Sequence, residues 1–179
     1  MPARKPSAPG QAAAAGSLSH EVPPRLRLAV QFASDAPGLP TRPKVRRCVA
    51  AALAGDAVIT VRLVDEAEGR TLNRDFRGKD YATNVLTFVY SEPGATPAEG
   101  DIVLCAPVVM AEAQAQGKLP QQHYAHLLVH GVLHLQGYDH EDDASAAMME
   151  SLERAILGRM RIPDPYADRD TTSVAVKAD

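Results

Sequence analysis

Three histidines in the C-terminal half of the chain place the strongest constraint on how it can fold. His130 and His134 are four residues apart, and His140 follows six residues later. Residues four apart lie on the same face of an α-helix, so the first two imidazoles can point at one ion. Gly137 stands between the second and third histidines and can adopt the left-handed conformation that ends a helix. The spacing therefore predicts a helix that stops near Gly137 and a chain reversal that brings His140 back to the other two rings.

Three imidazoles without a fourth protein ligand are typical of a catalytic metal site, because the open position is left for water or substrate. The same spacing occurs in the motif His-Glu-x-x-His-x-x-Gly-x-x-His, so we expect a zinc-protease-like three-histidine site at a helix end. The protease carries its general-base glutamate where this chain has Gly131. Glycine cannot accept a proton, so peptide hydrolysis by that route loses support. The expected cofactor is Zn²⁺, one ion per chain, although imidazole also binds other divalent metals.

Two further histidines precede the motif on the same predicted helix. His126 is four residues before His130, and His123 is seven residues before it. A single histidine on an apolar helix face is more often a packed, hydrogen-bonded core residue than a ligand, and we expect that of both. Tyr138 and Asp139 lie in the turn after the helix. We expect them to shape the turn or to orient a metal ligand by hydrogen bonding, without binding the metal themselves.

The composition fits one domain with tails. A chain of 179 residues that is 45% hydrophobic can bury one sizeable core. Its net charge of −3 and pI of about 6.1 do not point to nucleic acid, so an anionic substrate would have to meet a local basic patch. Cys48 and Cys105 have no redox or metal-site spacing, which fits a reducing compartment. No stretch approaches the roughly 20 apolar residues of a membrane span, so no membrane partner is expected.

The two ends of the chain differ in composition from its middle. Residues 1–24 are expected to be a disordered N-terminal extension, because the first part is rich in Pro, Ser, Gly and Ala and residues 1–20 contain no acid. A lack of acids also suits an organellar transit peptide, but a bacterial, cytoplasmic protein with a plain extension is the preferred interpretation. Residues 25–162 are expected to form a single domain, and residues 163–179 a flexible C-terminal tail.

Between the tails, hydrophobic periodicity alternates between strand and helix. The sequence predicts an α+β fold, with a central, mostly four-stranded mixed sheet packed with about five helices. The predicted strands are 26–32, 58–64, 84–90 and 101–105, and the predicted helices are 43–53, a helix after Asp65, 107–116, 120–136 and 143–157. Thr41 and Asp65 are the expected N-terminal caps of the first two helices, with Glu68 completing a capping box at the second.

A basic stripe lies on the second predicted helix. Arg70, Arg74 and Arg77 recur at positions i, i+4 and i+7, with apolar residues on the opposite side. The turn Arg77-Gly78-Lys79-Asp80 follows directly, and its glycine lets the backbone come close to a ligand. A solvated helix face is the simpler explanation of Arg70 and Arg74. Arg77 and Lys79 differ from them only if the fold brings their turn to the metal.

Four segments of the chain match the motifs of one known family. They are Leu72-Asn73-Arg74-Asp75-Phe76-Arg77-Gly78-Lys79-Asp80, Thr83-Asn84-Val85-Leu86-Thr87-Phe88, Gly100-Asp101-Ile102-Val103-Leu104 and the run from His130 to His140. In these segments the chain resembles the YbeY family of bacterial rRNA maturation factors, and the resemblance covers roughly residues 25 to 166. Ala82 and Val89 replace the family's usual prolines, and Thr87 a common serine. These changes concern loop rigidity and touch no ligand.

The resemblance implies a metal-dependent, single-strand-specific endoribonuclease. Its expected role is in rRNA processing, notably 3′-end maturation of 16S rRNA, and in ribosome biogenesis and quality control. The three histidines of the motif would bind zinc, with Arg77 and His130 as the catalytic residues and Arg74 and Lys79 as further contacts to the substrate. The implied partners are single-stranded RNA, the rRNA precursor, the small ribosomal subunit and assembly factors.

Two other functions stay open from the residues alone. One is a metallohydrolase of another substrate such as peptide, which the missing glutamate disfavours. The other is a ribosome-assembly binding factor with a structural zinc, which the three-ligand site disfavours because structural zinc usually has four protein ligands. The sequence also leaves the general base open between Asp139, Asp80 and a second water.

Overall fold

The computed structural model describes residues 23–167 and confirms the predicted α+β fold with four strands and five helices. The strands are β1 (Leu26–Ala33), β2 (Ala57–Val64), β3 (Val85–Val89) and β4 (Ala98–Cys105). The helices are α1 (Arg42–Ala52), α2 (Glu66–Arg77), α3 (Ala106–Ala115), α4 (Pro120–Leu135) and α5 (Asp143–Arg159). Most of the predicted N-terminal extension and of the predicted C-terminal tail lies outside the described residues.

The four strands form one mixed sheet in the order β1-β2-β4-β3. Strands β1, β2 and β4 are parallel, and β3 lies antiparallel to β4 at one edge of the sheet. β4 begins three residues earlier than the periodicity predicts, at Ala98 rather than Asp101. The reason is pairing on both sides, because Ala98 is in register with Ala57 of β2 and Gly100 with Val89 of β3. Neighbouring strands thus extend β4 into a segment whose Pro97 and Gly100 made it look like loop.

The sheet separates a large core from a small one. Ile102 and Leu104 of β4 point into the large core, which also contains buried side chains of α1, α4 and α5. Val103 and Cys105 alternate with them and point to the other face, where partly buried residues of α2 and α3 pack. Helix α4, which carries the histidine motif, therefore lies on the large-core face of the sheet.

The helix starts follow local chemistry, with two differences from the predicted caps. The Asp65 side chain accepts a hydrogen bond from the Glu68 amide at 2.8 Å, so the cap of α2 is confirmed. The reciprocal half of the capping box is wrong, because Glu68 instead binds Arg62 at 2.6 Å, a charged partner. Thr41 precedes α1, but its side chain makes no cap hydrogen bond. The second residue of that helix is Pro43, which has no N–H to donate.

Helix α4 packs very closely on β4 at Gly131. A Cβ built at this position would meet the Ile102 side chain at 3.0 to 3.2 Å. The glycine that replaces the protease glutamate is therefore a packing position, where the helix backbone approaches the sheet. Among residues 23–167, the structure contains no helix that is both long enough and apolar enough to cross a membrane.

Candidate metal centre and its cleft

The three histidines converge at the end of α4, as the spacing predicts. The helix ends after Leu135, and Gly137 adopts a φ of 91° in the left-handed region. Its N–H donates to the His134 carbonyl at 3.0 Å, which closes the turn. The chain then reverses and returns His140 to the other two rings. One nitrogen from each of the three histidines lies within 4.8 Å of the others.

The hydrogen bonds of the first two histidines assign their protons. Nδ1 of His130 lies 2.7 Å from Oε1 of Glu153, and Nδ1 of His134 lies 3.0 Å from the Tyr138 carbonyl oxygen. Both partners are acceptors, so each Nδ1 carries a hydrogen and each Nε2 presents a lone pair. The two Nε2 atoms are 3.1 Å apart. Two lone pairs at that distance repel each other unless a proton or a metal ion lies between them, and the three convergent nitrogens fit a metal ion.

The charge state of His134 also suits a metal ligand. Burial lowers the pKa of His134 to about 4, and the neighbouring His130 and His140 add to the effect because a second positive charge there is unfavourable. Its imidazole is therefore neutral at pH 7. A histidine binds metal in this neutral form, so little free energy is needed to remove a proton first.

A buried carboxylate that the sequence analysis did not identify supports the histidines. Glu153 of α5 is completely buried, and it accepts hydrogen bonds from His130, from Nε2 of His126 at 3.0 Å and from the Tyr166 hydroxyl. Burial would raise the pKa of Glu153, but these three hydrogen bonds outweigh it and lower that pKa to about 2. The carboxylate is thus charged, and it holds the hydrogen on Nδ1 of His130. Carboxylate–histidine pairs of this kind orient metal ligands in many proteins.

One sequence signal pointed to Glu153. It shares the buried face of α5 with Met149, Ile156 and Leu157. An acid on an otherwise apolar helix face needs partners, because an unpaired buried carboxylate is very costly. Tyr166 gave no such signal. It lies beyond residue 162, the predicted end of the domain, yet its side chain is only 8% exposed.

A second histidine–carboxylate pair joins α4 to α3, away from the triad. Nε2 of His123 is 2.7 Å from Glu112, whose carboxylate also accepts from the Asn84 side chain at 3.0 and 3.2 Å. Asn84 immediately precedes β3 and borders the cleft described next. The pair therefore fixes the start of the edge strand. His123 and His126 are both placed as hydrogen-bonded residues, each against a glutamate.

A cleft of about 680 Å³ opens beside the triad, and we call it the histidine cleft. It is bordered by Arg77, Asn84, Asp139 and the three histidines, together with side chains of β3 and the following loop. Arg77 reaches it because α2 ends there, at Gly78 in the left-handed conformation with a φ of 69°. The fold therefore brings Arg77, at the end of α2, to the cleft beside the candidate metal site. Arg74 and Lys79, the other two predicted substrate contacts, do not border the cleft.

Arg77 differs from the other arginines of the stripe in its partners. Arg70 makes a bidentate pair with Asp80 at 2.7 and 2.8 Å, and Arg74 binds Asp75 at 3.0 Å. The guanidinium of Arg77 makes no hydrogen bond or ion pair with any residue in the described part of the chain. Its charge is available to an anion in the histidine cleft.

The turn residues Tyr138 and Asp139 both contact the histidines. Tyr138 acts through its backbone carbonyl, which accepts from His134, and Oδ1 of Asp139 accepts from the His140 amide at 2.6 Å. Asp139 borders the cleft, whereas Asp80 does not. The hydrogen bond from Arg70 lowers the pKa of Asp80 and makes it a weaker proton acceptor. Of the two aspartates that the sequence left open as general base, Asp139 is the one that borders the histidine cleft.

The fold and the site together define a class of protein. Three convergent imidazoles with an open side and an unpaired arginine in the same cleft are the arrangement of a metal-assisted hydrolase for an anionic substrate.

Comparison with known proteins is more specific. The family model of the endoribonuclease YbeY matches residues 43–161. An endoribonuclease YbeY of Thiobacillus denitrificans is 61% identical over 143 residues, which cover 80% of this chain and 97% of the relative. One of Cupriavidus metallidurans is 56% identical over 147 residues, covering 80% and 75%. The chain therefore belongs to the endoribonuclease YbeY family, and the predicted family is confirmed. A solution structure from Thermotoga maritima aligns with a TM-score of 0.49 and 28% identity, covering 74% of this chain and 91% of that one.

Proposed function

We propose that this chain cleaves single-stranded RNA at the histidine cleft with a bound divalent metal, and that it matures ribosomal RNA precursors in this way. The family supports endoribonuclease activity. The observation that carries the metal-dependent mechanism is the approach of the two Nε2 atoms to 3.1 Å, each with its proton held on the opposite nitrogen.

His130, His134 and His140 would hold the ion, and zinc is our first choice because its catalytic sites commonly use three nitrogen ligands. Other divalent metals with an affinity for imidazole are alternatives. When bound, the metal would lower the pKa of a water molecule or polarise a phosphoryl oxygen. Glu153 and the Tyr138 carbonyl keep the imidazoles in the tautomer that binds it.

The cleft residues would act on the RNA. Arg77 offers two parallel N–H donors to the oxygens of the scissile phosphate, and it would stabilise the negative charge that grows there during cleavage. Asp139, whose Oδ1 already accepts from the His140 amide, is the residue in the cleft that we assign as proton acceptor. His130 contributes as a ligand whose orientation Glu153 fixes.

A preference for unpaired RNA follows from where the histidines lie. They border the histidine cleft together with Arg77, residues of β3 and the turn after α4. A phosphate that binds beside all three histidines and Arg77 must lie in this cleft. A flexible single strand can bend into it, whereas a duplex holds its backbone on a rigid helix.

RNA cleavage by the purified full-length chain tests the mechanism. Single-stranded RNA should be cut, duplex RNA should be spared, and a chelator should stop cleavage until zinc or another divalent ion is returned. Arg77→Ala should lower cleavage by about 100-fold or more with metal content unchanged. Arg77→Lys should recover only part of the activity, because a point charge cannot replace a bidentate contact.

Arg70→Ala is the matched control, since Arg70 lies on the same exposed helix face but is paired with Asp80. It should cleave RNA within a fewfold of wild type. Full activity of Arg77→Ala, or equal losses of activity in the two variants, would mean that Arg77 is an ordinary solvent-exposed residue of α2 with no specific role in cleavage. Cleavage that persists after complete metal removal would refute the metal-dependent mechanism.

The ribosomal role requires a test in cells. Loss of the chain from its own bacterium should leave 16S rRNA extended at its 3′ end, and wild type should correct this while Arg77→Ala should not. We place the protein in the cytoplasm, where it would meet the small ribosomal subunit and assembly factors. Normal 16S rRNA 3′ ends in the deletion strain would contradict the role in rRNA maturation. The nuclease activity itself is tested separately by cleavage with the purified chain.

A further inference from the structure

We propose that a second cavity beside the histidines is a binding site for one nucleobase of the RNA. This inference rests on the proposed function. The cavity lies between α4 and α5, and we call it the α5 cavity. Its walls include Val85, Leu127, His130, His140, Ala146 and Met149.

The α5 cavity shares a wall with the histidine cleft. His130 and His140 border both spaces. Their rings are nearly parallel, with centroids 5.5 Å apart and an interplanar angle of 25°. A phosphate held at the histidines has a nucleotide on either side of it. One of these nucleotides would lie in the histidine cleft, towards Arg77, and the other at the mouth of the α5 cavity.

The size and chemistry of the α5 cavity suit a base. Its volume of about 340 Å³ falls within the range of roughly 300 to 1,000 Å³ for small-molecule sites. Val85 and Ala146 are half-buried and offer aliphatic surface to the flat face of a base, while Leu127 and Met149 are buried in the same wall.

Charge separates the two halves of the site. The described residues that line the α5 cavity include no lysine or arginine, so a phosphate would find no ammonium or guanidinium partner there. A neutral base requires no such partner. On the other side of the histidines, the unpaired Arg77 attracts phosphate. The nucleotide would therefore place its base in the α5 cavity and its phosphate towards Arg77.

A base can enter the α5 cavity only after it leaves its neighbours in the strand. Unpaired RNA can turn one base out at little cost, whereas in a duplex the base must first lose its pairing and stacking. The cavity would thus select single-stranded RNA through base binding, in addition to the access that the cleft permits.

Two adjacent alanines of α5 provide a matched pair of variants. Ala146 is half-buried and borders the cavity, while Ala147 is exposed on the outer side of the helix. Ala146→Phe should fill the cavity. Ala147→Phe is its control, because it lowers helix propensity by the same amount but places the new side chain in solvent. Both should keep the metal content of wild type. If phenylalanine at 146 lowers the melting temperature, Ala146→Leu is a smaller replacement for the same test.

The binding measurement uses nucleosides, which carry a base but no phosphate. Methyl NMR signals of Met149 and Leu127 would be followed in the full-length chain during titration with adenosine, cytidine and, separately, ribose 5-phosphate. Nucleosides should shift these signals in wild type and in Ala147→Phe, and bind at least about tenfold more weakly to Ala146→Phe. Ribose 5-phosphate, which lacks the base, should leave them unshifted.

Cleavage of single-stranded RNA completes the test. Ala146→Phe should cut it more slowly than Ala147→Phe at equal metal content. If wild type cleaves RNA but nucleosides shift neither methyl signal, or bind both variants equally, the base cavity is refuted and the nuclease stands. Shifts produced equally by ribose 5-phosphate would also refute it. If nucleosides fill the cavity but no RNA is cleaved, the proposed function fails and the binding site remains.

Discussion

Replacing Glu153 by glutamine should weaken metal binding by changing which nitrogen of His130 carries the proton. Oε1 of Glu153 accepts from His130, and Oε2 accepts from His126 and from the Tyr166 hydroxyl. Glutamine has the same shape but only one acceptor oxygen, and its NH₂ group donates. If the NH₂ faces His130, the ring must move its hydrogen from Nδ1 to Nε2. A protonated Nε2 cannot bind a metal.

The structure sets the size of the effect. Glu153 has a pKa of about 2 in place of the ordinary 4.5, which corresponds to about 3 kcal/mol of folding free energy at neutral pH. Breaking a buried ion pair from one side costs a similar 3–5 kcal/mol or so. Because the pKa of Glu153 is lowered, this stabilisation is present above about pH 4.5 and is lost as the pH falls towards 2. Loss of a carboxylate that orients a metal-binding histidine lowers metal affinity by roughly 10- to 100-fold.

Three measurements check this expectation. Urea unfolding of the metal-free chain at pH 7 should give a free energy of unfolding about 3 kcal/mol lower for Glu153→Gln, and the difference should shrink as the pH falls below 4.5. Competition with a chelator should give the weaker zinc affinity. Nitrogen NMR of the His130 ring should report the hydrogen on Nε2.

Glu112→Gln is the control, because Glu112 of α3 forms the other histidine–carboxylate pair, with His123 of α4 at 2.7 Å. This variant should also lose stability, but its zinc affinity should match wild type because His123 lies outside the triad. Wild-type zinc affinity in Glu153→Gln, with the hydrogen of His130 still on Nδ1, would refute the reasoning.

Three further expectations concern the triad and its support. His134→Ala should reduce the zinc content of the purified chain to well below one ion, measured by metal analysis, and unchanged occupancy would contradict the site. In the metal-free chain His134 has a pKa of about 4 rather than 6.5, so its contribution to stability should be complete above pH 6.5 and decline as the pH falls towards 4, with its ring NMR signals titrating near pH 4. Gly100→Ala should lower the free energy of unfolding by about 1–3 kcal/mol or more, because the new Cβ would overlap the Phe88 carbonyl and a Leu135 methyl group. Thermal unfolding measures this loss. A melting temperature equal to that of wild type would contradict the expectation, because β3 and α4 would then be able to move away from the new Cβ on β4.

The arrangement of the three histidines was predictable because it depends on local geometry. Two residues four apart share a helix face whatever surrounds the helix, and Gly137 adopts a backbone conformation that few other residues tolerate. The alternation of strands and helices was predictable for the same reason. The prediction was less accurate where neighbouring strands determine the length of an element. At the start of β4, pairing with β2 and β3 extends the strand to Ala98.

The partners of the histidines were decided only by the tertiary structure. Glu153 lies on a different helix from His130, and Arg77 ends a helix on the opposite face of the sheet from α4, so no spacing in the sequence relates them. Tyr166 was placed in a flexible tail by composition, yet it packs against the same carboxylate. Spacing along the chain fixes which side chains of one helix face the same way. Which side chains from other elements meet them depends on how helices and strands pack, and that is a property of the whole core.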